Sequence, residues 1–175
     1  YKWTENWASV GYFQRETQFS EDPNLQIVRR WTGGGFVDHR NDETYSLIVP
    51  RADQLALAPI RDSYCQVHHA LNRALIQNGI ESQVASAELA SGSNACFAGD
   101  HAEGDILLET RKIAGAAQRR GKAGLLHQGS LLLPAGEIEP IWQSFAAELT
   151  EKAAEFELPT ELQAEAKRLT AEKYG

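Results

Sequence analysis

The run of three consecutive glycines at positions 33–35 constrains this chain more than any other feature of its sequence. It lies between two short β-prone stretches, residues 26–31 and 36–39, so the chain is expected to turn there. Glycine has no Cβ, so such a turn can adopt positive φ, and a ligand can approach the bare backbone. Its successive N–H groups can then hold an anion or a developing oxyanion. A glycine run taken alone is also compatible with a simple hairpin turn, which is the commoner occurrence.

The size and charge of the chain limit the classes of protein to which it can belong. With 175 residues and 42% hydrophobic composition, it is long enough for a single domain, residues 1–175, around one core. The net charge of −7 argues against a general nucleic-acid-binding protein. Basic residues nevertheless cluster within 111–122, where they can receive an acidic partner or an anionic substrate. No apolar stretch approaches the roughly 20 residues that cross a bilayer, so we expect no membrane partner.

Cysteine and methionine usage give two further expectations. Two cysteines, Cys65 and Cys96, are too few for a disulfide framework or a structural zinc site, and they fit a reducing cytoplasm. No signal peptide opens the sequence. Since the chain contains no methionine, we expect that Tyr1 is not the natural start and that the chain is a fragment or a processed form.

The order of periodic segments predicts an α+β fold, with a mixed β-sheet covered by helices. Residues 60, 64, 67, 71 and 75 are apolar or aromatic, at steps of three and four, and predict one buried helix face between Pro59 and Gly79. We predict strands over 7–13, 26–31, 36–39, 44–49, 81–85, 105–109, 112–118 and 124–133. Residues 86–104 read as a loop, and 137–156 and 159–173 as helices, with Trp142, Phe145 and Leu149 facing inward.

The second informative stretch is residues 111–118, where Lys112 is followed by alternating small residues. Small side chains let an extended ligand lie on a strand, and the ammonium can neutralise a carboxylate, a thioester oxyanion or a phosphate. An exposed hairpin lysine ahead of a closely packed strand is an equal alternative. Cys96 lies in the preceding loop and is a candidate nucleophile, because nearby positive charge favours the thiolate. The alternative for Cys96 is a small buried hydrophobe.

Histidines supply the remaining candidates. His39 follows the glycine turn and can point into the same site, and His127 lies on the last long strand; each can equally be a hydrogen-bonded structural histidine. Cys65, His68 and His69 have a spacing that can ligate a metal, but no fourth ligand is visible, so we expect no metal site. The sequence contains no phosphate-binding Gly-Lys-Ser/Thr loop, no dinucleotide fingerprint and no Gly-x-Ser-x-Gly elbow.

Taken in order, the motifs resemble those of the lipoate–protein ligase A family. They are Ser-x-Gly-x-Phe-Gln at 9–14, Arg-Arg-x-Thr-Gly-Gly-Gly-x-Val-x-His at 29–39, Thr-Tyr-Ser-Leu at 44–47, Arg-Lys-Ile-Ala-Gly-Ala-Ala-Gln at 111–118 and Leu-His-Gln-Gly-Ser-Leu-Leu-Leu at 126–133. The resemblance covers roughly residues 7–133. Cys96-Phe97 is similar to the Cys-Phe of the family's cysteine-dependent octanoyltransferases, whereas the residues after it and the order His127-Gln128 depart from that branch.

The resemblance implies a catalytic domain of the biotin/lipoate protein ligase type, without the family's N-terminal strand and helix ahead of Tyr1. It also implies site residues. Cys96 and Lys112 would be catalytic, with Cys96 carrying the acyl group and Lys112 contacting the activated carbonyl. The substrate-binding residues would be Arg30, Thr32, Gly33, Gly34, Gly35, His39, Gly115, Ala116 and His127. We therefore expect the glycine turn and Lys112 to meet around one acyl-chain cavity.

Three functions follow from the resemblance. The first is transfer of an octanoyl or lipoyl group through a Cys96 thioester, from an octanoyl-acyl carrier protein and without a cofactor. The second is an ATP- and Mg²⁺-dependent ligase that activates free lipoate as an adenylate. In both, the acceptor would be a lysine of a lipoyl domain or of a glycine-cleavage H-type protein. The third is a non-catalytic relative that only binds lipoyl domains.

Overall fold

The computed structural model describes residues 1–15, 22–87, 101–133, 136 and 138–174. Within these residues the chain forms eight strands and four helices. The strands are β1 (Trp7–Val10), β2 (Gln26–Arg29), β3 (Val37–Asp38), β4 (Glu43–Pro50), β5 (Ser82–Val84), β6 (Ile106–Leu108), β7 (Arg111–Arg120) and β8 (Gly124–Leu131). The helices are α1 (Gln54–Leu57), α2 (Ile60–Gln77), α3 (Glu139–Leu149) and α4 (Thr160–Tyr174).

The strands divide into two sheets instead of the single sheet that we predicted. A three-stranded sheet has the order β2-β1-β3, with β1 parallel to β2 and antiparallel to β3. A five-stranded antiparallel sheet has the order β4-β8-β7-β6-β5. The α+β class is confirmed. In the larger sheet β8 pairs with β4 and β7, so Ser130 lies opposite both Thr44 and Gly115.

The hydrophobic core lies between the five-stranded sheet and the helices α2 and α3. Residues one helical turn apart on α2 form its buried face, because side chains at i and i+4 point the same way. The core residues are Val67, Ala70, Leu71, Ala74, Leu75, Ile106, Ile113, Ala114, Leu131, Ile141 and Phe145. The prediction was wrong for Ile60, which is 65% exposed. As the first residue of α2, it lies one turn ahead of the part that meets the sheet.

Two element boundaries differ from prediction for identifiable reasons. Strand β1 ends at Val10 because the next residue, Gly11, packs against the backbone of the glycine turn. A Cβ on Gly11 would lie 2.0 Å from the carbonyl oxygen of Gly34. Helix α3 ends at Leu149, where Thr150 is already extended, and residues 151–159 are exposed. The inward positions of Trp142, Phe145 and Leu149 are confirmed.

The helices also bear on the question of a membrane. The longest, α2, has 18 residues and carries polar side chains along its outer face. Short helix α1 was not predicted, and its N-cap Asp53 accepts a hydrogen bond from the Leu55 N–H at 2.8 Å. Across the described ranges, no helix combines the length and apolar content needed to cross a bilayer.

Candidate active site

A cavity of about 1280 Å³ lies between the two sheets. Gly34 and Gly35 of the glycine turn line it on one side, and Gly115 and Ala116 of β7 line it on the other. A Cβ on Gly34 would lie 3.6 Å from the Cβ of Ala117, which also lines the cavity. The glycine turn and the strand that carries Lys112 thus meet, although some eighty residues of chain separate them.

The glycine turn is held by Arg30. One guanidinium nitrogen, Nη2, donates to the carbonyl oxygens of Gly33 at 2.7 Å and of Gly35 at 2.8 Å. Gly34 has φ +87°, and a Cβ there would lie 2.8 Å from the same Nη2. Among the described residues, no acceptor pairs with the N–H groups of the three glycines. The carbonyl groups of Gly33 and Gly35 are therefore bonded to Arg30, while no described residue occupies the N–H groups that a ligand could use.

Thr32 connects the glycine turn to the larger sheet. Its side chain is fully buried, and its hydroxyl donates to Oε1 of Gln128 on β8 at 3.0 Å. Its carbonyl oxygen accepts a hydrogen bond from the N–H of Tyr12 at 2.9 Å. Thr32 therefore lies behind the turn and fixes its distance from β8, whereas Arg30 and His39 line the cavity itself.

His39 lies at the centre of a buried polar chain. Its Nδ1 is 2.7 Å from Oδ2 of Asp42, and its Nε2 is 2.7 Å from Oγ of Ser9. Arg30 Nη1 donates to the same Oγ at 3.0 Å. Trp3 stacks on the imidazole, with ring centroids 4.6 Å apart and an interplanar angle of 15°. Ser9 and His39 both line the cavity, so the chain runs along its wall.

Lys112 packs against Gly115 of β7. Its ammonium is 2.7 Å from Oδ2 of Asp105, and the two side chains are 9% and 1% exposed. A Cβ on Gly115 would lie 2.5 Å from Cε of Lys112. The absence of a side chain at Gly115 thus leaves the space that the end of the lysine side chain occupies, and the lysine is held against the strand that lines the cavity.

Asp105 in turn is fixed by Tyr64 of α2. The Tyr64 hydroxyl donates to Oδ1 of Asp105 at 2.5 Å and accepts from the N–H of Ala116 at 3.0 Å. The N–H of Ala102 donates to the other carboxylate oxygen at 2.7 Å. Burial, and then the Asp105 charge, raise the pKa of Tyr64 well above its usual value. The hydroxyl therefore stays protonated and remains a donor to the carboxylate.

His127 is fully buried on the helix-facing side of β8, away from the cavity-lining residues. Its Nε2 is 3.2 Å from the hydroxyl of Tyr45, and its ring centroid is 5.5 Å from that of His68 on α2. Burial lowers the pKa of His127 to about 3 and that of His68 to about 4. Both imidazoles are therefore neutral at pH 7.

Of the two cysteines, only Cys65 lies among the described residues. Cys96 lies in residues 88–100, outside the described residues. Cys65 is a half-buried free thiol on α2 whose pKa burial raises. His68 is buried while His69 is exposed, so these two neighbours do not face one site. Within the described ranges, no three His, Cys, Asp or Glu side chains are grouped so as to hold a metal ion.

Four residues of the site were missed by sequence reasoning: Ser9, Asp42, Tyr64 and Asp105. Ser9 stands in a quoted motif, but a serine in a strand gives no sign of its partner. Asp42 comes three residues after His39, a spacing that suggests a carboxylate–imidazole pair. The helical spacing places Tyr64 on the apolar face of its helix, which gives no sign of a polar partner. Asp105 directly precedes the buried strand that pairs with the Lys112 strand, and a buried carboxylate at such a place signals a cationic partner.

Comparison with known proteins identifies the family. The family model for the lipoyl protein ligase A/B catalytic domain matches residues 2–158. The octanoyltransferase LipM of Clostridioides difficile is 33% identical over 168 residues, which are 89% of this chain and 61% of that protein. The octanoyltransferase LipM of Oceanobacillus iheyensis is 33% identical over 139 residues, 76% of this chain and 50% of that protein. The chain thus spans about half to three-fifths of the length of these curated relatives.

Solved structures agree on the fold. A putative lipoate protein ligase from Thermoplasma acidophilum superimposes with a TM-score of 0.77 and 17% sequence identity, covering 97% of this chain and 79% of that one. At this identity the likeness concerns the fold alone. The chain belongs to the lipoyl protein ligase A/B catalytic-domain family.

Proposed function

We propose that this member of the lipoyl protein ligase A/B catalytic-domain family transfers an octanoyl or lipoyl group to a lysine of a lipoyl domain, through a thioester on Cys96. One observation carries the proposal: the two sides of one cavity are lined by the strand bearing Lys112 and by Gly34 and Gly35, whose N–H groups have no acceptor among the described residues. The relatives that are octanoyltransferases by name support the choice of acyl group.

The reaction would proceed in two acyl transfers. The Cys96 thiolate attacks the thioester carbonyl of an octanoyl carrier; a C–S bond to Cys96 forms, the C–S bond to the carrier breaks, and the carrier leaves as a thiolate that takes up the proton lost earlier by Cys96. The amine of the acceptor lysine then attacks the Cys96 thioester; an amide bond forms, the C–S bond to Cys96 breaks, and the proton lost by the amine restores the Cys96 thiol. No oxidant, reductant or cofactor takes part in either step.

Each step develops negative charge on the carbonyl oxygen. The N–H groups of Gly34 and Gly35 and the ammonium of Lys112 are the donors that we assign to it. A well-aimed donor of this kind is worth roughly 3 kcal/mol of barrier. The ion pair with Asp105 fixes the position of the ammonium before the reaction begins. Lys112 would therefore act as a preorganised electrostatic donor that does not have to reorient as charge develops.

The acceptor would be a lipoyl domain or a glycine-cleavage H-type protein, and the donor an octanoyl-acyl carrier protein. Arg111 and Lys122 are exposed and can meet an acidic partner. Arg119 lies over the rings of Tyr12 and Trp31, 4.4 and 4.5 Å from their centroids. We place this activity in the cytoplasm, where Cys96 would stay reduced.

An ATP-dependent ligase is the competing function within the same family. The N–H groups of Gly34 and Gly35, which have no acceptor within the part of the chain that the structure describes, fit an adenylate phosphate as well as an oxyanion. ATP with Mg²⁺ would activate free lipoate as an adenylate, and Lys112 would hold its phosphate and carbonyl. Pyrophosphate release that depends on lipoate would identify this route, and octanoyl transfer without ATP would dismiss it.

The covalent route is tested by intact mass. After mixing with octanoyl carrier and no acceptor, the protein should gain the mass of one octanoyl group, and adding an apo lipoyl domain should move it to that domain. Cys96→Ala should abolish both events. Cys65→Ala is the matched control and should behave as the unaltered protein. Transfer at the unaltered rate by Cys96→Ala would show that the covalent route is wrong.

The same assay separates the non-catalytic alternative. A protein that only binds lipoyl domains would show heat of binding in calorimetry, with neither acylation nor pyrophosphate release at any substrate concentration. Any Cys96-dependent octanoylation of the acceptor excludes it.

A further inference from the structure

A continuous line of hydrogen bonds connects a buried carboxylate to the glycine turn. It runs from Asp42 to His39, from His39 to Ser9, and from Ser9 to the guanidinium of Arg30. Arg30 then donates to the carbonyl oxygens of Gly33 and Gly35. We define these four side chains, Asp42, His39, Ser9 and Arg30, as the loop-positioning chain.

The direction of each bond follows from what the groups can donate. A carboxylate only accepts, so Nδ1 of His39 donates to Asp42. In the neutral imidazole Nε2 then accepts, and the Ser9 hydroxyl gives it its one proton. The Ser9 oxygen keeps its lone pairs for Arg30 Nη1, 3.0 Å away. Each member thus fixes the orientation of the next.

The first three members have the spacing of a nucleophilic Ser-His-Asp triad, with both short distances at 2.7 Å. Two observations favour a positioning role over nucleophilic attack. The Ser9 oxygen is already bonded to the Arg30 guanidinium, and Ser9 is only 2% exposed. The chain also continues past the serine to the glycine turn, which a nucleophile would not need.

The burial of Asp42 indicates that the loop-positioning chain does more than stabilise the fold. It is 2% exposed, and its other oxygen, Oδ1, has no hydrogen-bond partner among the described residues. Burying a half-satisfied carboxylate is unfavourable, so such a group calls for an explanation. Orientation of His39, and through it of the loop, supplies one.

We propose that Asp42, His39 and Ser9 are positioning residues that act through Arg30 to hold the N–H groups of the glycine turn toward the acyl group. This inference rests on the proposed acyl-transfer function. Removing a member should loosen the turn and lower kcat by about tenfold or more, since a displacement near 1 Å can cost about a hundredfold. The KM for the acceptor protein should change less than twofold, because the side chains of Asp42, His39 and Ser9 are buried and do not contact that protein.

The test is a double-mutant cycle on kcat for octanoyl transfer, with Ser9→Ala, Asp42→Ala and the double variant. If Asp42 acts through Ser9, the double variant should be within about twofold of Ser9→Ala alone. Multiplication of the two single effects would overturn the proposal, and so would an unchanged kcat in Asp42→Ala. Labelling of Ser9 by a fluorophosphonate would overturn it too, by showing a nucleophile.

Conservative variants separate positioning from loss of folding. Asp42→Asn keeps an acceptor for His39 Nδ1 and should recover most of the kcat lost in Asp42→Ala. Asp38→Asn is the matched control, since Asp38 is a neighbouring acidic residue whose side chain pairs with Arg40 and lies outside the chain. If Asp42→Ala does not fold, Ser9→Ala and His39→Gln carry the test. Equal activities of Asp42→Asn and folded Asp42→Ala would overturn the proposal.

A binding measurement distinguishes failure of the proposal from failure of the proposed function. The protein has 14 glycines, so a spectrum of ¹⁵N-glycine-labelled protein is readily assigned by substitution. Octanoate should shift the Gly34 and Gly35 signals in the unaltered protein and in Asp38→Asn, but not in Asp42→Ala. If these shifts occur but no assay shows acyl transfer, the proposed function is wrong, while the role of the loop-positioning chain is still supported. If Asp42→Ala shows the same shifts as the unaltered protein, the proposed role of the loop-positioning chain is wrong, even if acyl transfer occurs.

Discussion

The two walls of the cavity present their functional groups in opposite ways. On the glycine wall, formed by Gly34 and Gly35, backbone atoms line the cavity, and the side chain of Arg30 holds that backbone in place. On the strand wall, β7 and β8, the ladder of sheet hydrogen bonds fixes the backbone, and a side chain, Lys112, is the group held in place by Asp105.

The difference shows how two kinds of local structure reach the same degree of order. A glycine turn has no ladder and loses more conformational freedom on folding than any other segment, so it needs external hydrogen bonds. A lysine side chain is long and flexible and needs an ion pair and a close wall, which Gly115 provides. Substitutions should therefore affect the walls differently: on the strand wall through charge, on the glycine wall through backbone conformation.

The largest effect is expected on the strand wall. Lys112→Met removes the ammonium and should lower octanoyl transfer by about 10²–10³. It should also lower the free energy of unfolding by about 3 kcal/mol, because the Asp105 carboxylate stays buried without its partner. Transfer rates and urea unfolding measure the two losses separately.

A second substitution completes that comparison. Adding Asp105→Asn to Lys112→Met should restore much of the stability, since a neutral amide still accepts the Tyr64 hydrogen bond, while transfer stays low. If the double variant is no more stable than Lys112→Met, the ion pair is not what stabilises this wall.

Acid should weaken the support behind the strand wall. The pKa values of His68 and His127 are about 4 and about 3 in the folded protein, below the value near 6.5 of an exposed histidine. Above pH 6.5 both states are neutral and nothing changes. Between about pH 6.5 and 4 the two histidines bind protons in the unfolded chain but not in the folded protein. The free energy of unfolding should therefore fall as the pH is lowered, by on the order of 3 kcal/mol per histidine.

Urea unfolding at successive pH values measures this loss. His68→Gln should flatten the slope by up to one proton, while His69→Gln, an exposed neighbour, should leave it unchanged. Equal slopes for His68→Gln and the unaltered protein would show that the buried imidazoles do not cause the acid sensitivity.

The smallest effect belongs to the glycine wall. Gly34→Ala places a Cβ at φ +87° and 2.8 Å from Arg30 Nη2, so it should lower the free energy of unfolding by about 1–2 kcal/mol. Gly33→Ala is the stability control: a Cβ there meets nothing within 4 Å, and the change should stay within about 0.5 kcal/mol. Equal losses for the two variants would mean that backbone conformation at 34 does not shape this wall.

Much of the fold could be predicted because it depends on local pattern. The spacing of apolar residues located α2 to within a residue, and the run before Pro50 located β4, since periodicity is a property of the chain itself. Boundaries failed where contacts distant in sequence decide them. Strand β1 stops at Val10 because Gly11 meets Gly34, and no local signal at residue 11 reports that contact.

The candidate site divides in the same way. Its backbone and cationic parts, the glycine turn and Lys112, were predicted because the chemistry of these residue types is evident wherever they occur. Their partners were missed, since the pairing of Asp105 with Lys112 and Tyr64 needs three elements to converge. His127 lies behind the wall instead of in the cavity for a similar reason, because the side of β8 that it occupies faces α2.

The amino-acid sequence by itself determined the α+β class, the main helix, the family and the kinds of groups available for acyl chemistry. Each of these follows from residue type and spacing along one chain. Only the tertiary structure decided that the carbonyls of Gly33 and Gly35 bind Arg30 while the glycine N–H groups find no acceptor among the described residues, and that Gly115 makes room for Lys112. The reason is physical: the direction of a hydrogen bond and the space beside a backbone exist only after distant segments have packed together.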